Sequence, residues 1–244
     1  MSIFTIADLH LSTHESTNKS MEVFGSRWTD YIRRLESNWK RLVTDNDTVI
    51  IPGDVSWALS LSEAESDLKF LDALPGRKIL GKGNHDFWWC TMKKHEEFFR
   101  EAGITSIGFL YNNCIETEDF LVAGSRGWFP EDGVGTVNEN VDFEKLTNRE
   151  LGRLRISLDA ARAKQASGVQ KEIIVCTHFP IVWNGKPNEP FTALLGEYGI
   201  RRVYFGHIHG SYAAPSVFTH EGIEYHLIAA DYLGFIPKHV PRAD

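Results

Sequence analysis

The chain has 244 residues, of which 42% are hydrophobic and 24% charged, and its formal net charge is −7. That balance is ordinary for a globular protein and excludes collagen, coiled coil and wholesale disorder. The length suits one substantial domain over 1–244, no apolar run reaches the ~18 residues of a bilayer span, and the acidic charge counts against long nucleic acid or an anionic membrane as partner. The N-terminus enters a strand at 3–7 with no basic run before it, which predicts no signal peptide. A helix is predicted over 29–43, where Ile32, Leu35, Trp39, Leu42 and Val43 share one face. A strand follows at 48–51. Ser62 to Glu65 reads as a capping box opening a helix that stops at Pro75-Gly76. Next come a strand at 77–80, a helix over 91–102 closed by Gly103, a strand at 120–123 and a surface loop at 130–142. A helix over 149–165, strands at 172–176 and 202–205, and a hairpin of 216–219 with 223–229 around Glu221-Gly222 complete the pattern. Strand–helix alternation predicts a largely open α/β sheet. Three cysteines without a CxxC pair point to a reducing, cytoplasmic setting.

Polar residues fall at particular places. Five predicted strands run into Asp8-Leu9-His10, Gly53-Asp54, Gly83-Asn84-His85-Asp86, His178 and Gly206-His207-Ile208-His209. Loops after parallel strands meet along one sheet edge, so these clusters can converge. In an extended segment residues i and i+2 share a face, so Asp8 and His10 can address one ion, as can His207 and His209. Glycines 53, 83 and 206 permit close backbone approach at the strand ends. Carboxylate, imidazole and amide donors together suit Mn, Fe or Zn. Asp8, His10, Asp54, Asn84, His178, His207 and His209 are too many ligands for one ion and enough for two sharing a bridge. Two dications ~3.5 Å apart repel by roughly 19 kcal/mol at an effective dielectric of ~20, so an anion must lie between them, and Asp54 is the natural bridging carboxylate. The positive charge left over favours a phosphate ester over a neutral ester or peptide.

These residues resemble the calcineurin-like metallophosphoesterases, whose pattern DxH…GD…GNH[DE]…H…GHxH stands here between Asp8 and His209. The strings 53–57 and 82–89 are similar to those of an uncharacterised bacterial group of predicted phosphohydrolases within that family. The resemblance implies a four-layered α/β/β/α sandwich of two mixed sheets. It also implies one metal on Asp8, His10, Asp54 and His209 and a second on Asp54, Asn84, His178 and His207. A metal-bridging hydroxide would attack a small phosphomonoester or phosphodiester, and His85, oriented by Asp86, would assist the leaving group. Trp57 stands where many members carry a polar residue, which implies a more apolar wall.

Trp57, Trp88 and Trp128 follow the motifs or a strand end, and either floor a substrate pocket or fill the core. Arg126, in a loop after the strand at 120–123, is a candidate phosphate clamp, or else a solvated surface residue. His14 and His95 lack motif context and are expected at the surface, and Cys176 in the core. A nuclease of the same fold is the rival function, weakened by the acidic charge and the lack of a basic, aromatic-interleaved run. A non-catalytic scaffold would have lost a ligand or His85, and none is missing.

Overall fold

A computed structural model of the chain describes residues 1–15, 19–129 and 143–242, so the loop predicted at 130–142 lies outside the described residues. In chain order the elements begin with β1 (Ile3–Thr5), α1 (Tyr31–Leu42), β2 (Thr48–Ile51), α2 (Glu65–Asp72), β3 (Arg77–Leu80) and α3 (Met92–Ala102). They continue with β4 (Ile107–Phe109), β5 (Ile115–Glu116), β6 (Phe120–Ser125), α4 (Phe143–Ala166), β7 (Glu172–Thr177), β8 (Val182–Trp183) and β9 (Lys186–Pro187). The chain closes with α5 (Glu189–Glu197), β10 (Arg202–Phe205), β11 (Val217–His220), β12 (Ile223–Leu227) and β13 (Lys238–His239).

The strands divide between two sheets, ordered β13-β1-β2-β3-β4 and β11-β12-β10-β7-β6-β5, with β8 and β9 as a separate ribbon. Alternation alone predicts one open sheet; the strands instead build two that share a core. On β2, Val49 and Ile51 point to the helices and Ile50 to the other sheet. On β7, Ile173 and Val175 point to the helices while Ile174 and Cys176 point inward. Each strand thus buries both faces, which is why its sequence is a continuous apolar run. The inner core joins Ile3, Ile50 and Ile79 to Phe120, Ile174 and Tyr204. Helices α1, α2 and α3 cover one outer face through Leu35, Trp39, Leu68, Leu71 and Phe99. On the other outer face lie Leu154 and Leu158 of α4 with Phe191 and Leu194 of α5. The result is the four-layered α/β/β/α sandwich of two mixed sheets.

Within each sheet the central strands run parallel, β1 to β4 in the first and β6, β7, β10 and β12 in the second. Their carboxyl ends therefore lie along one edge. After β1 the chain crosses the gap between the sheets: Ala7 bridges Ala229, its N–H donating to the Ile228 carbonyl at 2.8 Å while its own carbonyl accepts from Ala230 at 2.9 Å.

Several local expectations change. Helix α3 ends as predicted, Gly103 closing it at φ 71°, while Thr91 stands just before it as its N-cap, Oγ1 accepting from the Lys94 N–H. The capping interaction before α2 sits two residues earlier than predicted: Ser60 Oγ accepts from the Glu63 N–H, and Glu63 reaches back to the Leu59 N–H. A turn over 61–64 separates that box from the helix proper. Short β4 and β5 and helix α5 have no counterpart in the sequence reading. His95 is buried rather than exposed. Its ring lies 4.5 Å from Phe109 and 5.5 Å from Trp88, and Nε2 accepts from the Cys90 N–H at 3.2 Å. Burial brings this imidazole down to about 4, so it is a neutral core residue.

Candidate metal centre

Four of the proposed ligands hold left-handed backbone: Asp8 at φ 61°, His10 at 46°, Asp54 at 50° and His207 at 67°. Such conformations cost about 1–3 kcal/mol each in a residue with a Cβ and cluster where side chains must be aimed. Here the backbone is held in place from both sides. Asp8 N–H donates to the Gly53 carbonyl and His10 N–H to the Asp54 carbonyl, each at 3.0 Å, and Tyr31 Oη donates to the His10 carbonyl. Two glycines enforce the approach. A Cβ on Gly83 would lie 2.0 Å from Asp54 Oδ1, and one on Gly206 would lie 2.3 Å from Asp8 Oδ2.

The side chains converge. Among the described residues, Asp8, His10 and His209 form one group of possible ligands and Asp8, Asp54 and His178 another, with ligand atoms within 4.8 Å of each other in each group. His10 Nε2 and His209 Nε2 are 3.2 Å apart. Asn84 Oδ1 lies 2.6 Å from His178 Nε2 and 3.1 Å from His207 Nδ1. Asp54 Oδ2 lies between the groups, 3.7 Å from His10 Nε2 and 3.5 Å from His178 Nε2. All seven predicted ligands are therefore gathered where β1, β2, β3, β7 and β10 end.

Burial sets the charge state. It lowers His10 and His178 well below the usual imidazole range, helped by neighbouring histidines, and so leaves neutral rings with lone pairs to offer. It pushes the Asp8 carboxyl up to about 6, against the pull of His209 and His207. Asp54 is raised well above the carboxylate range by burial and then by the charges of Asp86 and Asp8. Buried carboxyls raised beside neutral imidazoles are the donor set that a divalent cation would discharge.

His85 sits at the rim. Its N–H donates to Asp54 Oδ1 at 2.8 Å, and its ring lies 4.4 Å from Trp57 and 5.7 Å from His10. Burial, then His207 and His209, bring it down to about 4. Asp86 has a different position from the one the resemblance implies. Its carboxylate accepts from the N–H groups of Asp54, Val55, Ser56 and Gly83 and from Trp88 Nε1, so it ties two ligand loops together and does not hydrogen-bond the His85 ring. Trp88 is 2% exposed and belongs to this support, not to a pocket floor. Trp57 lines the site, stacked on His10 at 4.8 Å. Trp128 stands further out, 5.1 Å from Phe179, and Phe179 lies 4.2 Å from His207. Arg126 is not a solvated surface residue. It is 16% exposed and 3.8 Å from Glu150, and its carbonyl accepts from the His178 and Phe179 N–H groups.

Sequence reasoning missed Asp231. This buried carboxylate accepts from His209 Nδ1 and from Tyr212 Oη, each at 2.9 Å. The same positional rule that finds the proposed ligands would have found it, because Asp231 stands two residues past the predicted strand 223–229. A cleft of about 680 Å³ lined by Asp72, Arg77, Thr105 and Ser106 opens at the opposite ends of the strands and contains none of these residues.

Comparison with known proteins agrees with this geometry. The fold is shared with a phosphopantetheinyl hydrolase from Mycobacterium tuberculosis, at 14% identity over 98% of this chain and 95% of that one, with a TM-score of 0.53. It is shared also with a protein from Thermus thermophilus, at 9% identity over 98% and 97% of the two chains, with a TM-score of 0.55. No curated protein matches the sequence. The sequence profile of calcineurin-like phosphoesterases matches residues 1–211, and the chain belongs to that family.

Proposed function

We propose that the chain is a metal-dependent hydrolase of a small phosphate ester, working at a dinuclear centre. The observation that carries this reading is the pair of Asp/His groups sharing Asp8, with Asp54 Oδ2 between them. Asp8, His10, Asp54 and His209 would hold one divalent cation, and Asp54, Asn84, His178 and His207 the other; the mixed donors suit Mn, Fe or Zn. When bound, the pair would supply charge neutralisation of the phosphoryl oxygens and activation of water.

The remaining residues position and shield. Trp57 lies against His10 and His85 and gives the substrate a partly apolar wall. His85, held neutral, offers an N–H to a phosphoryl or leaving oxygen, a contribution of about 10²–10⁴-fold. Asp86 holds the Asp54 and Gly83 loops in register through its backbone contacts. The cysteines are all free thiols, which supports a reducing, cytoplasmic setting. No helix among the described residues is long and apolar enough to cross a membrane.

The test is hydrolysis of p-nitrophenyl phosphate and bis-p-nitrophenyl phosphate with added Mn, measured beside elemental analysis. Wild type is expected to turn over at least one of them in a metal-dependent way. His85→Ala should keep its metal and lose about two to four orders of magnitude in turnover. Asp54→Asn should lose both ions together, because it removes the charge that screens their repulsion. One full-strength ion in Asp54→Asn would argue against a shared bridge, and a metal-free but folded His85→Ala would make His85 a ligand.

A further inference from the structure

Beside the metal centre, on the His178 and His207 side, is a cluster of cations for which the proposed hydrolysis has no use. Glu150 of α4 is fully buried, and its Oε1 alone is approached by three guanidinium groups: Arg153 at 2.8 Å, Arg149 at 3.2 Å and Arg126 at 3.8 Å. Lys82, two residues before Asn84, lies within the electrostatic reach of Arg126, Asp86, Arg153 and Glu150. Glu150 thus has three guanidinium groups around a single oxygen, with Asp86 and Asp54 as the further carboxylates within reach of Lys82 and Arg126.

The hydrogen bonding is incomplete in the same place. Among the described residues, Arg126 Nε is buried and unpartnered, and so is Glu150 Oε2. Arg153 spends one nitrogen on Glu150 and another on Tyr111 Oη. Among the described residues the one ion pair of the Arg126 side chain is the long 3.8 Å contact with Glu150, although its fork has five donors. Its orientation is nonetheless set: the guanidinium carbon lies 5.5 Å from the Trp128 ring and 5.8 Å from that of Phe179. Phe179 is the ring packed on His207. An oriented, under-used arginine next to a proposed metal ligand is poised for an anion rather than for stabilising the fold.

We propose that Arg126 and Arg153, assisted by Lys82, form a second anion subsite that takes a phosphate group on the non-reacting part of the substrate, so that the preferred substrates are esters carrying two phosphates. The planar donor forks of Arg126 and Arg153 match the oxygens of a phosphate in shape and charge. Phe179 touches both the Arg126 guanidinium and the His207 ring, so the subsite lies beside the proposed metal ligands and the second phosphate belongs to a neighbouring part of the same molecule. This inference rests on the phosphoesterase reading for its catalytic consequence but not for the binding itself.

Two measurements test it separately. In the first, inorganic phosphate is titrated calorimetrically into the full-length chain stripped of metal by chelator. Arg126→Gln and Arg153→Gln are each expected to weaken the dissociation constant by about ten-fold or more. In the second, the Mn-loaded protein is assayed on glucose 1,6-bisphosphate and glucose 6-phosphate. Wild type should favour the bisphosphate in kcat/KM, and each variant should lose about ten-fold more on the bisphosphate than on the monophosphate. Arg153 lies on a partly exposed helix face, so its variant serves if Arg126→Gln does not fold. Failure of wild type to bind phosphate, or dissociation constants unchanged in both variants, overturns the subsite whatever the activity. Hydrolysis of both esters with one ratio in all three proteins overturns it while leaving the phosphoesterase reading intact. Phosphate binding that depends on the arginines, with no metal-dependent hydrolysis of these esters or of the two p-nitrophenyl esters, keeps the subsite and sinks the phosphoesterase reading.

Discussion

His209 donates from Nδ1 to Asp231, and the lone pair on Nε2 is thereby aimed at His10 Nε2, 3.2 Å away. Burial lowers the His209 imidazole, but the bond to Asp231 and the charges of Asp8 and Asp231 outweigh it and the net direction is up. Asp231 is in turn held by Tyr212 Oη and the Gly210 N–H. Such outer carboxylates orient a ligand histidine and raise its basicity. Asp231→Ala should lower Mn affinity by about 10- to 100-fold in a calorimetric titration. Asp231→Asn, which keeps an acceptor oxygen, should recover part of that loss. Equal affinity in wild type and Asp231→Ala would show that packing alone orients His209.

At the level of an element, the end of α2 is held by a lysine from the neighbouring strand. Lys78 of β3 is buried, and Nζ donates to the carbonyls of Asp72, Leu74 and Gly76 at 3.2, 2.6 and 2.8 Å. These are the acceptors that a helix end and its following turn leave unpaired. Burial brings the ammonium down to about 8, against the pull of Asp72 and Asp45. The unfolded lysine keeps its proton to 10.5, so between about 8 and 10.5 the unfolded state binds more protons and stability rises with pH. Urea denaturation should show that rise in wild type and not in Lys78→Met. At pH 7 the variant should lose about 1–3 kcal/mol, because buried carbonyls go unpaired. A variant with wild-type stability would mean that water replaces the ammonium.

For the whole molecule, the decisive place is the seam where the two sheets meet. Asp8 belongs to the first sheet and Gly206 to the second, and the His207 N–H donates to the Asp8 carboxylate at 2.9 Å across the join. A Cβ on Gly206 would meet Asp8 Oδ2 at 2.3 Å and the Ala7 Cβ at 2.6 Å, so the sheets must part to admit it. Gly206→Ala is expected to cost about 1–3 kcal/mol as overpacking and to lower Mn affinity at least as much as the loss of Asp231. Gly152 in α4 is the control: a Cβ there meets nothing within 4 Å, and Gly152→Ala should gain about 0.5–1 kcal/mol. Thermal melts with and without Mn on the two variants check both signs. A Gly206→Ala protein with full metal affinity would show that the seam can open without moving Asp8.

Strands β2, β3 and β10 and helix α3 with its Gly103 cap are legible in the sequence, because apolar period and cap chemistry are local. So are the ligand candidates, since each follows a strand and a strand end is also local. Between themselves these signals leave the number of sheets open: a strand buried on both faces reads alike in one doubly covered sheet or in two stacked ones. Helix α5 and the short strands β4 and β5 escape a sequence reading because tertiary contacts, not a long periodic run, hold them. The roles of Asp86, Trp88, His95, Arg126 and Asp231 emerge only once the chain is folded. A carboxylate's function depends on which donors surround it, and those donors come from segments as distant as Ser56 for Asp86 and His209 for Asp231. Local patterning thus dictates which residue types reach the shared edge, and the packing of the two sheets dictates which of them touch.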